Sequence, residues 1–160
     1  MLENRRIHLD DLGAWLLKGN ADHTDLAGRF EQDRRVTRWC VRPSYRLGLM
    51  RAGQPVLFWA SGNRRRDLAY GIWGFGELTG PARRDDVDGW SVPLDLLIVD
   101  DAARVPRQTL RADPHLADLE VLRQPQAANP SFVTVRQLAA IERHRRRAPR
   151  PPHPAAHVVN

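Results

Sequence analysis

Few residues of this 160-residue chain are of types that make or break bonds, and none stands in the spacing such chemistry needs. The six histidines (His8, His23, His115, His144, His153, His157) show no metal-ligand spacing, and Cys40 is the single cysteine, so no zinc set can be assembled. Ser61 lacks a G-x-S-x-G setting and a nearby histidine to activate it. Gly71, Gly74 and Gly76 fall inside one strand-like run, not between a strand and a helix, so they are not a dinucleotide fingerprint. The acid pairs Asp85-Asp86 and Asp100-Asp101 sit in polar loops, where turns account for them. Cys40 fits a small hydrophobe better than a reactive thiol. The sequence predicts a non-enzyme without cofactor or metal.

The aromatic residues point to another kind of chemistry. Five tryptophans are more than a small core requires. Trp15 and Trp90 lie in apolar runs and are expected in the core. Trp39, Trp59 and Trp73 lie on strand-like segments among small or polar neighbours, and spacing alone leaves them as barrel core or as the walls of a binding site. A site that reads one nucleobase needs aromatic faces for stacking and a few oriented polar groups for the base edge. Each stacked base is worth about 1–3 kcal/mol. Strand alternation puts Leu57, Trp59 and Ser61 on one face, so Trp59 and Ser61 can share one pocket.

The segments that must position these side chains are short. Ala14 to Lys18 reads as a buried strand between glycines, and Asp22 to Arg34 as a helix weakened by Gly28. Thr37 to Arg42 is strand-like and ends at Pro43. Val56–Ser61 and Leu68–Thr79 are expected to form an antiparallel hairpin, with the three glycines of the second run marking bends. Trp90 to Val99 alternates with Trp90, Val92, Leu94, Leu96 and Ile98 on one face, and Pro93 argues for an edge or a bulge. Short helical turns follow over 106–123. Thr134 and Gln137 form a capping box for a final helix with Val135, Leu138 and Ile141 inward. The sum is about five strands with small helices, an α+β barrel-like domain over 13–143. A loose arm (1–12) precedes it and a disordered Arg/Pro-rich tail (144–160) follows.

Charge must be divided before it is used. The net charge is +6, but residues 143–160 hold five arginines and no acid, which leaves about +1 for residues 1–142. Overall basicity is thus a property of the tail and not an argument for nucleic acid. Lys18 is the only lysine among 25 cationic residues, a bias that a GC-rich coding sequence produces. No apolar run approaches the roughly 18 residues that span a membrane, and the N-terminus has no apolar leader, so a cytoplasmic location is the default expectation.

The order of these segments resembles the EVE domain, a PUA-like family related to YTH domains. The resemblance rests on Ala14-Trp15-Leu16-Leu17-Lys18, Arg38-Trp39-Cys40-Val41-Arg42, Gly53 with Val56-Leu57-Phe58-Trp59-Ala60-Ser61-Gly62, and Gly71-Ile72-Trp73-Gly74-Phe75-Gly76-Glu77-Leu78. It continues through Leu110–Leu116, Leu122–Asn129 and Phe132-Val133-Thr134, and so covers roughly residues 13–143. Members of the family commonly carry Asn-Tyr-Gln-Ala-Arg-Asn after the tryptophan, where this chain has Pro43-Ser44-Tyr45-Arg46-Leu47-Gly48, and an acid after the turn glycine, where it has Gln54.

The resemblance implies a PUA-like small mixed β-barrel flanked by short helices, with a cleft that takes a flipped, modified base of DNA or RNA. Matched by position, Trp39, Cys40 and Val41 line one wall, Trp59 and Ser61 end the central strand, and Asn129 faces the cleft from a late loop. Trp39 and Trp59 would sandwich the base while Ser61 and Asn129 read its edge. Lys18, Arg42, Arg64, Arg65 and Arg66 would hold phosphates, although a solvated hairpin tip explains Arg64–Arg66 equally well. With no chemistry of its own, the chain would need a nuclease or other effector protein to act on what it binds; no membrane partner is expected. The alternative is a sensor for a free nucleobase or a similar planar metabolite. A third reading makes the chain an interaction module whose Arg/Pro tail docks an acidic partner.

Overall fold

Every strand-like run joins one curled sheet, with the first helix on one of its faces and the later three on the other. The computed structural model describes residues 6–61, 68–87, 89–126 and 129–147. Along the chain come β1 (Leu12–Asn20), α1 (Leu26–Gln32), β2 (Arg35–Val41), a 3-10 turn (Tyr45–Leu49), β3 (Pro55–Ser61) and β4 (Gly71–Leu78). Then follow β5 (Arg83–Asp85), β6 (Gly89–Ile98), β7 (Val105–Pro106), α2 (Arg107–Ala112), α3 (Glu120–Arg123), β8 (Ser131–Thr134) and α4 (Val135–Arg147). The sheet has eight strands, against about five expected, in the order β2-β6-β4-β3-β1-β8, with β5 added on β6 and β7 on β4. Neighbours are antiparallel except β1 and β3, which run parallel.

Alternation along the strands builds two cores. Trp15, Leu17, Val56, Phe58, Val92 and Leu96 belong to one, together with Leu26 and Phe30 of α1. Leu16, Leu57, Trp59, Ile72 and Phe75 belong to the other, under Leu110 of α2, Val121 of α3 and Ile141 of α4. Burial on both faces is why β1 reads as a continuous apolar run. The expected β3–β4 hairpin forms with Phe58 opposite Gly74. The glycines of β4 serve close approach of its neighbour: a Cβ on Gly76 would lie 2.0 Å from the Asp95 carbonyl oxygen. Gln54 accepts from Trp15 Nε1 at 2.8 Å and from the Arg51 amide at 2.7 Å, so a neutral amide ties the turn to the core.

The strand ladder does not close into a ring. Hydrogen bonds bridge the gap between β2 and β1 instead. Trp39 Nε1 donates to the Lys18 carbonyl at 3.1 Å, and the Arg42 amide to the Asn129 carbonyl at 2.7 Å.

Three sequence expectations change in detail. Ile7, placed in a loose arm, is buried, and its amide donates to the Tyr45 hydroxyl at 2.9 Å. Of the two settings expected for Pro93, an edge or a bulge, the bulge is found: β6 is an interior strand and carries one extra residue between Leu96 and Pro93, opposite Val36 and Arg38. The capping box forms, with Gln137 accepting from the Thr134 amide at 2.9 Å. Val135 however faces solvent, and Gln137, Ala140 and Ile141 turn inward. The final helix runs to Arg147, past the expected start of the tail, because His144 Nε2 meets Asp113 Oδ2 at 2.7 Å.

Candidate functional site

The parallel pairing of β1 and β3 brings two strand ends side by side, with Lys18 opposite Trp59 and Asn20 opposite Ser61. A cleft of about 500 Å³ opens at those ends. β2 contributes Arg42, the start of β4 contributes Tyr70, α2 contributes Arg107 and Arg111, and the segment before β8 contributes Asn129. A volume of this size lies within the usual range for small-molecule and cofactor sites. A second hollow of about 380 Å³ beside Leu47, Met50, Pro81 and Trp90 is lined without a charged residue.

Trp59 and Tyr70 are the aromatic groups of the cleft, and Trp59 is the one at the ends of the parallel strands. Its ring is 3% exposed, packed among Leu57, Ile72 and their neighbours. The indole N–H groups of Trp15, Trp39 and Trp73 each donate within the protein, to Gln54, Lys18 and Ala69. Trp59 Nε1 has no such partner among the described residues, yet no buried polar atom is left unsatisfied. Its N–H edge therefore opens to the cleft, where a ligand acceptor can meet it. Ser61 lies two residues on, and its hydroxyl is only loosely held, 3.5 Å from the Gly19 carbonyl.

Trp39 is elsewhere. Its ring stands edge-on to Phe58 at 4.8 Å, beneath Gly19, where an added Cβ would lie 3.1 Å from the indole. Phe58 and Trp59 follow each other on β3 and face opposite cores. The expected sandwich of Trp39 and Trp59 therefore does not form; Trp39 supports the strand that carries the cleft. Val41 is buried in the same core as Phe58, and Cys40 is exposed. Arg64, Arg65 and Arg66 lie outside the described residues.

Asn129 acts as a clasp. Its Oδ1 accepts from the Lys18 amide at 3.2 Å, while Nδ2 donates to the Lys18 carbonyl at 3.3 Å and approaches the Cys40 carbonyl at 3.5 Å. One acceptor position of the amide oxygen remains for a ligand. The clasp is held from behind by a buried ion pair. Arg46 grips Glu120 through both nitrogens, at 2.7 and 2.8 Å, and donates to the Pro130 carbonyl at 3.0 Å, while the Ser131 hydroxyl donates to Glu120 at 2.7 Å. Burial pushes the Glu120 carboxyl up, but Arg46 and Ser131 outweigh it and hold it below its ordinary value. Such pairs cost much to break from one side.

The rim is cationic. Lys18, Arg42, Arg107 and Arg111 line the cleft against the single acid Asp22. Arg42, Arg107 and Arg111 carry no ion pair among the described residues. Lys18 Nζ donates to the Pro125 carbonyl at 3.3 Å. Burial lowers its pKa to about 8, Arg46 and Arg42 act in the same direction, and Glu120 opposes them. Sequence reading missed Tyr70, Arg107 and Arg111. The four-residue spacing of the two arginines was a usable signal, since it puts both on one face of a helix. Nothing in the sequence indicated which way that helix faces.

No protein-family model matches the chain, and no curated protein does either. Solved structures do match. A hypothetical protein from Leishmania major is 19% identical, with a TM-score of 0.64, covering 87% of this chain and 98% of its own. A protein from Pseudomonas putida is 21% identical, with a TM-score of 0.59, covering 82% and 99%. Human THYN1 protein, solved in complex with 5-methylcytosine containing DNA, is 14% identical, with a TM-score of 0.61, covering 85% and 99%. The chain shares the fold of these structures.

Proposed function

We propose that the protein is a nucleic-acid-binding module that takes one modified base of DNA or RNA into the cleft and does no chemistry on it. The observation that carries this reading is Trp59, whose indole N–H, unlike those of Trp15, Trp39 and Trp73, has no protein acceptor among the described residues and opens into a cation-rimmed cleft. Trp59 supplies one donor through the indole edge that reaches the cleft, Ser61 and the remaining acceptor of Asn129 meet the base edge, and Lys18 and Arg42 hold phosphate. Cys40 contributes through its backbone, and Trp39 and Val41 contribute as the packed support behind the cleft. The human neighbour with the same fold, bound to methylated DNA, supports the class of ligand.

The cationic rim favours nucleic acid over a free planar metabolite. Four cations facing one acid repel one another, and a neutral base gives nothing to offset that repulsion. A phosphodiester does.

The test is a panel of single- and double-stranded oligonucleotides, each present as modified and plain versions, titrated at one salt concentration. At least one modified member should bind roughly tenfold tighter than its plain counterpart, the scale of a single well-made contact. Equal affinity for every pair would reject the reading.

A further inference from the structure

We infer that the α2 side of the cleft is a phosphate site of its own, so that the ligand is an internal nucleotide held through the phosphates on both of its sides. The inference rests on the cleft being the base site and adds who sits at its second rim. Lys18 and Arg42 reach the cleft from the ends of β1 and β2, whereas Arg107 and Arg111 reach it from α2. That helix is fixed to the sheet at the cleft itself. Its first amide, on Arg107, donates to the Tyr70 carbonyl at 3.0 Å, and the residues on either side pair as Gly71 with Pro106.

The side chains are arranged for an anion. The Arg107 guanidinium lies over the Tyr70 ring, 3.9 Å from its centre, which holds it at the cleft. A guanidinium matches two oxygens of one phosphate. Arg111 is one turn further on and lines the same cleft. Neighbouring arginines of the same surface are spent: Arg104 on Asp101 at 2.7 Å, and Arg123 on Asp118 at 3.6 Å. Arg107 and Arg111 have no carboxylate among the described residues. Two cations brought together without a counter-charge cost stability unless a ligand supplies it. A free base or nucleoside supplies none, and a strand end supplies one phosphate where the cleft has two cationic rims.

The experiment uses the full chain and a single-stranded DNA 9-mer with one central 5-methylcytosine. In two further 9-mers, one or the other phosphodiester flanking that base is replaced by an uncharged methylphosphonate. On the intact protein each replacement should weaken binding roughly tenfold, the scale of one charge-assisted contact. In Arg107→Ala/Arg111→Ala one of the two replacements should become silent while the other keeps its cost, and the salt slope should fall by about 0.7, one phosphate on a single strand. Arg111→Ala alone, an exposed position that leaves the Tyr70 stack in place, should show the same pattern at smaller size. The inference is overturned if the double variant binds like the intact protein, or if both replacements stay costly in it. If Trp59→Phe, which keeps the core filled, still weakens binding of the 9-mer in that case, the base reading stands and only the second phosphate site is lost. No binding of the 9-mer by the intact protein would count against both.

Discussion

Arginine is used in opposite ways on two sides of this molecule. Along β2 and the strands beside it, Arg34 pairs with Asp100, Arg35 with Asp95 at 3.2 Å, and Arg38 with Asp85 at 3.1 Å. At the cleft, Arg42, Arg107 and Arg111 pair with no acid among the described residues. The first set is neutralised and decorates an exposed strip. The second is left charged around a cavity. The contrast explains how a folded part with a charge near +1 can present a strongly cationic site: the acids are spent elsewhere. Net charge averages the two regions and hides both.

The largest effect should come from a third setting, the buried Arg46–Glu120 pair behind the cleft. Arg46→Ala strands Glu120 with its charge inside the protein and should cost about 3–5 kcal/mol, read as a fall in denaturant midpoint. Next is Trp59→Phe, which keeps the ring packed but removes the N–H and should lose about 0.5–1.5 kcal/mol of binding and the preference for modified over plain oligonucleotide. Arg42→Ala should lower the slope of log affinity against log salt by about 0.7–0.9, with little change in which base is preferred. Arg35→Ala, on the paired strip, should change stability by less than about 1 kcal/mol and leave binding alone. If Arg35→Ala weakened binding as much as Arg42→Ala, the division between the two regions would fail.

Lys18 sharpens the comparison through pH. Its pKa lies near 8 in the folded protein, against an ordinary value of 10.5. Between those values the unfolded chain keeps a proton that the folded chain has released, so stability from this group rises with pH across that window. Below about 8 the cost of the buried charge is fully present. Affinity for a polyanion runs the other way and should drop as pH passes 8, because the cleft loses a cation. Lys18→Gln should flatten both trends, with His23, Asp22 and Glu120 as the other titrating groups nearby.

The sequence carried the strands well because each is short, apolar or alternating, and bounded by turn residues. Val56–Ser61 and Trp90–Val99 are found within a residue or two of where they were expected. It carried Trp59 and Ser61 as cleft neighbours because period two fixes which side chains share a face. It failed for Trp39, since alternation within one strand says nothing of which face a second strand turns to the first. Only the stack of Trp39 on Phe58 settles that. Arg107 and Arg111 were missed for a related reason: their place depends on a hydrogen bond from α2 to Tyr70, a contact between segments 37 residues apart in sequence. Asn129 was legible as a cleft residue, but its hold on Lys18 spans 111 positions and could be seen only in three dimensions.

The most direct test of the account follows the indole N–H resonances of the five tryptophans by NMR while the preferred modified oligonucleotide is added, with Trp59 assigned from the signal missing in Trp59→Phe. The Trp59 signal should move most, and those of Trp15, Trp39 and Trp73, already hydrogen-bonded inside the protein, should stay nearly still. A bound complex in which the Trp59 signal does not move would contradict the claim that a base enters this cleft.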